Sequence, residues 1–253
     1  MATVNVTNLA EFIEAVAVSG DTVILPENER WDMNQIAPEG VTGNIPVNCA
    51  KIIGNNTVIM NGRFYGTFQV DGTEIEDFHI INYFCDSVTI SGTGKYERCM
   101  FSGLSASGIS IPIYGTSFDR CAFNVETQAD GNVWAVDGVC RYCRIILHAA
   151  LATGFDVSSR RYEKTNCEIV VFVPQATYLY FGNAKNCTVR GNMQGCGYIG
   201  KYDYDYSQNA IVNTSDLAED ANVESPLIGV TDTEMKDAAY LQSIGFPIGG
   251  GDE

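Results

Sequence analysis

Cys140 and Cys143, in the stretch VCRYCRI at 139–145, stand in the spacing Cys-x-x-Cys. That spacing serves a redox dithiol where one thiol is acidic and accessible. It serves half of a tetrahedral zinc site where further ligands converge on it. It also fits two thiols that do no chemistry. Other groups able to act on a substrate are few. The chain has two histidines, His79 and His148, and candidate cations at Arg144, Arg190 and the adjacent pair Arg160–Arg161. There is no second Cys-x-x-Cys in the sequence, no glycine-rich phosphate loop and no dinucleotide fingerprint. Aromatic runs supply the remaining chemistry: GNVWAVDG, ATYLYFG and GYIGKYDYDY.

A repeat positions Cys143. The stretches NNTVI, EDFHI, ERCMF, DRCAF, RYCRI, TNCEI and KNCTV align with Thr57, Phe78, Cys99, Cys121, Cys143, Cys167 and Cys187 at their centres. Successive centres are 21, 21, 22, 22, 24 and 20 residues apart. Two residues after each centre the side chain is apolar: Ile59, Ile80, Phe101, Phe123, Ile145, Ile169 and Val189. The residue between is mixed: Val58, His79, Met100, Ala122, Arg144, Glu168 and Thr188. Such in–out–in alternation predicts a strand with one buried face, the second set facing water. The residue before each centre is mostly polar and tolerant of turns. A second strand follows ten to twelve residues later in most units, in GTFQV, DSVTI, SGISI, NVWAV, TYLYF and GYIG.

Units of this length with no helical stretch predict an all-β parallel solenoid of about seven or more coils of 20–24 residues, in which equivalent residues stack. Cysteine suits an inward column because it is small, apolar and readily buried. The column three residues earlier reads Gly54, Ile75, Tyr96, Phe118, Cys140, Lys164 and Ala184. Cys140 therefore occupies the place that Tyr96 and Phe118 fill in the preceding coils. The Cys-x-x-Cys is predicted to be the crossing of two core columns.

The ends differ from the middle. NLAEFIEAVAVSG reads as an amphipathic helix with Asn8 as N-cap, Glu11 at N3, an apolar stripe of Leu9, Phe12, Ile13 and Val16, and Gly20 as a stop. DTVIL follows as a first strand. The predicted organisation is residues 1–26 as capping helix and first strand, 27–50 as an insertion, 51–212 as coils, and 213–253 as an acidic linker and C-terminal helix. That last helix is predicted in TDTEMKDAAYLQSIGFPIGG, with Thr231 as N-cap, Glu234 at N3 and Gly245 as C-cap.

Composition narrows the partners. A formal charge of −16, from 31 acidic and 15 basic residues, disfavours nucleic acid, whose binders concentrate Lys and Arg against phosphates. No run approaches the roughly 18 apolar residues of a membrane span, and the N-terminus lacks the basic leader of a signal peptide. Nine cysteines, an odd number, read as mostly free thiols made in a reducing compartment.

With NLAEFIEAVAVSGDTVILPEN, the repeat and strands such as KNCTV, residues 1–212 resemble the pectin-lyase-like superfamily of single-stranded right-handed parallel β-helices. The resemblance implies right-handed winding and an N-terminal helix capping the first coil. Hydrolases of that family carry clustered Asp, a GHG and an RIK, and none of these is present. Lyases of the family use Arg or Lys with Asp-bound calcium on outward strand positions; Arg144 and Arg190 are available, without an Asp cluster. No catalytic residue, metal ligand or cofactor is therefore assigned. The ending EMKD…GF is similar to endings of β-helical surface proteins of bacteria and their phages.

Three functions are expected in descending order. The first is a non-enzymatic bacteriophage virion protein: a capsid decoration, head fibre or tail-associated β-helix. It would be made in the host cytoplasm and assembled as a homotrimer with other virion proteins. The second is a carbohydrate-binding adhesin or receptor-binding spike, secreted or on the cell surface if a leader has been removed. Its ring-stacking residues would be Trp134, Tyr178 and Tyr198, at roughly similar phases of successive coils with one coil between the first two unassigned, together with Tyr202, Tyr204 and Tyr206. The same rings could instead bury against a neighbouring subunit. The third is a polysaccharide lyase or hydrolase.

Overall fold

The computed structural model describes residues 1–37, 39–40, 42–64, 67–85, 90–105, 113–128, 130, 132–134, 136–156, 162–180, 183–185, 187–192, 198–199 and 210–213. They form an all-β solenoid of about six turns, with mostly parallel strands and few helices. A 20-stranded sheet and a separate 4-stranded sheet hold the described strands.

One coil shows how the sequence makes the shape. Lys95–Glu97 runs to a corner at Arg98, Cys99 follows, and Met100–Ser105 continues in a new direction. The next coil repeats this with Ile113–Asp119, Arg120, Cys121 and Ala122–Thr127. Parallel register sets Tyr96 against Phe118, Met100 against Ala122 and Phe101 against Phe123. The corner residues Asn56, Asp77, Arg98, Arg120, Tyr142 and Asn166 all have φ between 50° and 60°. A left-handed residue at each of these corners bends the chain while hydrogen bonds between coils continue round it. Arg98 N donates to Asp119 O at 2.9 Å, and Ala122 N to Cys99 O at 3.0 Å.

Asn and Asp take the left-handed conformation at low cost, whereas Arg and Tyr do not. Their stacking offsets part of that cost. Arg98 donates through Nε and Nη2 to the Asp77 carboxylate at 2.8–3.2 Å, and the Arg120 guanidinium lies 5.4 Å from the centre of the Tyr142 ring.

Ring stacks fill the interior. Phe101 and Phe123 are stacked at 5.6 Å, Tyr96 and Phe118 at 4.9 Å, and Phe118 meets Phe123 edge-on at 5.2 Å. Glycines make room for them. A Cβ at Gly94 would come within 2.6 Å of the Tyr96 hydroxyl, and one at Gly115 or Gly138 within 2.8 Å of Phe118. The buried Tyr96 hydroxyl has no hydrogen-bond partner among the described residues. Leaving a buried donor unmade costs about 1–3 kcal/mol, so Tyr96→Phe is expected to raise unfolding free energy by about 1 kcal/mol or more, measured in urea. An unchanged or lower value would show that the hydroxyl is satisfied.

At the N-terminus, helix Leu9–Val16 has Asn8 as its N-cap, accepting the Glu11 N–H at 3.0 Å. Glu11 reaches back to Thr7, accepting its N–H at 2.7 Å and its hydroxyl at 3.0 Å, which holds the carboxyl below its ordinary pKa. The helix buries Leu9, Phe12, Ala15 and Val16, and the Phe12 ring meets Trp31 and Phe78. Within 27–50, strands Arg30–Asp32 and Ile45–Val47 pair in parallel with Lys51–Met60 and Phe68–Val70. This segment thus joins the solenoid sheet. The expected C-terminal helix lies outside the described residues.

Candidate functional site

The Cys-x-x-Cys lies in the interior. Cys140 and Cys143 are both fully buried and free. Cys140 pairs in register with Phe118 on one side and Lys164 on the other. Thr57 and Phe78 are register partners, and Cys99, Cys121, Cys143, Cys167 and Cys187 follow at the same corner of later coils, all buried. Each thiol repeats one geometry, donating to the carbonyl two residues earlier and to a carbonyl of the preceding coil. Cys143 Sγ lies 3.3 Å from Arg141 O and 3.5 Å from Phe118 O; Cys121 Sγ lies 3.4 Å from Asp119 O and 3.6 Å from Tyr96 O. Thr57 makes the equivalent bond to Pro26 O. The corner therefore takes a small donor, and Phe78 stands in this column where Phe12 packs against it.

Burial pushes the thiols of Cys121, Cys143 and Cys167 well above their ordinary pKa. Cys187 is raised through its contact with Cys167 and by burial. Cys140 is lowered, first by a hydrogen bond from Cys143 and further by the Lys164 charge, against the effect of burial. No reagent reaches this thiol, because the side chain has no exposed surface. Among the described residues no three His, Cys, Asp or Glu gather as a metal site.

The aromatic residues fall in the 4-stranded sheet. Trp134 pairs with Asp156, and Asp156 with Tyr180; Tyr178 pairs with Tyr198. The backbone thus brings Tyr178 and Tyr198 together and sets Trp134 two positions further along. Tyr202, Tyr204 and Tyr206 lie outside the described residues, as do Arg160 and Arg161.

The outward face of the long sheet is the unexpected feature. Its strands are Lys51–Met60, Glu74–Cys85, Met100–Ser105, Ala122–Thr127, Arg144–His148 and Glu168–Phe172, stacked in that order. The residues between the core positions were expected to face water. Instead Val58 is 1%, His79 0%, Met100 0%, Ala122 4%, Ile146 2% and Val170 7% exposed. None belongs to the interior cluster that holds Phe101, Phe123 and Ile145, so the sheet is covered on both faces. Polar groups share this face. His79 Nε2 lies 3.5 Å from Asn56 Oδ1, and Arg144 Nε donates to Glu168 Oε2 at 2.7 Å with both side chains mostly buried. Half-buried His148 stands in register between Glu126 and Phe172, its ring 5.9 Å from that of Phe172. Arg190 continues the face in register with Val170 and Val212. A signal was present in the sequence: Val58, Met100 and Ala122 are apolar at three of the first four outward positions.

No protein-family model, curated protein or solved structure matches this chain. No described helix is long and apolar enough to cross a membrane.

Proposed function

We propose that this chain is a non-enzymatic structural rod of a bacteriophage virion, a capsid decoration, head fibre or tail-associated protein, working as a homotrimer with other virion proteins. Right-handed winding, the helix Leu9–Val16 as cap of the first coil and a helical C-terminal tail belong to the same reading. The observation that carries it is the character of the outward strand positions. Where lyases of the pectin-lyase-like family hold a cation and calcium-bound carboxylates, this chain has buried Val58, Met100, Ala122, Ile146 and Val170. The Arg144 among them is tied to Glu168. Those apolar positions offer a sugar acid neither a cation nor a calcium-holding carboxylate. The net charge of −16 keeps many copies from clumping at high local concentration.

Adhesion to glycans is the second reading, favoured by the register of Tyr178 with Tyr198 in the short sheet that also holds Trp134. One experiment separates the three classes. The purified chain is incubated with acidic and bacterial-surface polysaccharides, and its mass is measured by sedimentation. The expected result is a three-chain particle that leaves every polysaccharide uncut. Cleavage of any of them, or a monomer at all concentrations, would overturn the proposal; tight binding without cleavage would favour the adhesin.

A further inference from the structure

We infer that the thiol column is a one-way redox gate on folding: the coils close only while its cysteines are reduced, and closure then withdraws them from any small disulfide. The inference holds for either reading of the function. Each column sulfur sits where only the reduced side chain fits. Cys99 Sγ lies 3.4 Å from Glu97 O and 3.5 Å from Ile75 O, and Cys167 Sγ lies 3.4 Å from Thr165 O and 3.6 Å from Cys140 O. Cys187 Sγ lies 3.4 Å from Lys185 O and 3.5 Å from Lys164 O. With Cys121 and Cys143 this makes five successive corners at which one S–H stands between two carbonyls. A disulfide at any of them removes that proton and sets a second sulfur about 2.05 Å from the first, where the carbonyls and the next coil already stand.

Neither a cap nor a cross-link has room. The seven free cysteines among the described residues are all buried. The interior cavity lined by Phe12, Phe78, Tyr96 and Phe101 is about 20 Å³, space for one water and not for a tripeptide. In the unfolded chain the same thiols are open. A cysteine thiolate that attacks oxidised glutathione becomes a mixed disulfide and releases one glutathione thiolate. A second cysteine thiolate then displaces the other glutathione thiolate and closes a protein disulfide. Column neighbours from Cys99 to Cys187 are 20–24 residues apart, and Cys140 is three from Cys143, so loop closure opposes that step only weakly. After folding, burial keeps Cys121, Cys143 and Cys167 as thiols, which do not attack a disulfide. Cys140, the more acidic, is enclosed between Phe118 and Lys164 with no exposed surface. A chain that folds among reductants therefore carries its thiols unchanged into an oxidising space, whereas a chain delivered there unfolded is trapped.

Modification interference tests the gate. The full chain is unfolded in guanidinium, treated with oxidised glutathione until each cysteine is partly modified, returned to buffer, and separated by size exclusion into folded and unfolded fractions. Mass spectrometry then maps adducts and cross-links. Each of Cys49, Cys99, Cys121, Cys140, Cys143, Cys167 and Cys187 is expected to be modified at least about tenfold less often in the folded fraction. Dithiothreitol is expected to convert the unfolded fraction to the folded one, and native chain in oxidised glutathione to keep all seven thiols. A smaller depletion at any of the seven overturns the inference, as does loss of native thiols at the rate of an open thiol. Should the reduced chain not refold from denaturant, cell-free synthesis in dithiothreitol or in oxidised glutathione decides. Folded product in dithiothreitol alone supports the inference, and any other pattern overturns it.

Discussion

Phe118→Ala is expected to lower the unfolding free energy by about 3–5 kcal/mol, the cost of emptying a fully packed aromatic site. Phe118 has no exposed surface, lies at 4.9 Å and nearly parallel to Tyr96, and meets Phe123 edge-on at 5.2 Å. Removing it takes a member from the Tyr96 stack and an edge-on neighbour from the Phe101–Phe123 stack in the adjacent column. The void cannot close by local collapse, because the strand Ile113–Asp119 is tied to coils on both sides. Gly115 and Gly138, which leave room for the ring, offer no side chain to fill it. A urea titration of the variant measures the loss. A change under 1 kcal/mol would show that the column is not continuously packed.

Gly92→Ala is expected to cost about 3 kcal/mol or more, and for a different reason. Gly92 has φ +104°, where an L side chain is strained, and a Cβ there would lie 1.9 Å from Val70 O. That carbonyl cannot retreat, since it accepts the Thr93 N–H at 3.0 Å in the ladder between coils. Gly20 supplies the control. Its φ is +85°, and nothing lies within 4 Å of the position its Cβ would take. Asn tolerates that conformation, so Gly20→Asn should stay within about 1 kcal/mol of the parent. Comparable losses in both variants would mean that torsion, and not the close approach of coils, sets the cost.

The core was legible because every coil spends its corner in the same way. One left-handed residue, then a small donor such as Cys99 or Cys121, then an inward Phe or Ile at a fixed offset, makes a pattern that spacing alone reveals. Cys140 was readable as a member of the Tyr96–Phe118 column for the same reason. The aromatic row was less so. Coil lengths vary from 20 to 24 residues, and counting cannot say which strand absorbs the change. Register puts Trp134 opposite Asp156 and Tyr180, beside the Tyr178–Tyr198 row and not in it. The double burial of the long sheet was hidden for another reason. His79, Ser102, Asn124 and Glu168 break the apolar run on the outward face, so local pattern reads as solvent exposure.

The reading of this chain as a closed rod and not a redox or metal protein turns on Cys140 and Cys143, and thiol counting tests it most directly. Native protein is treated with maleimide at pH 8, then labelled again in guanidinium, and each cysteine is assigned by mass. Cys49, whose thiol burial pushes up to about 11, and Cys99, Cys121, Cys140, Cys143, Cys167 and Cys187 should all be unlabelled in the native state and fully labelled after unfolding. No Cys140–Cys143 disulfide and no zinc should be found in the folded protein. Native labelling of Cys140 or Cys143 at the rate of an open thiol, a disulfide between them, or one bound equivalent of zinc would contradict the account.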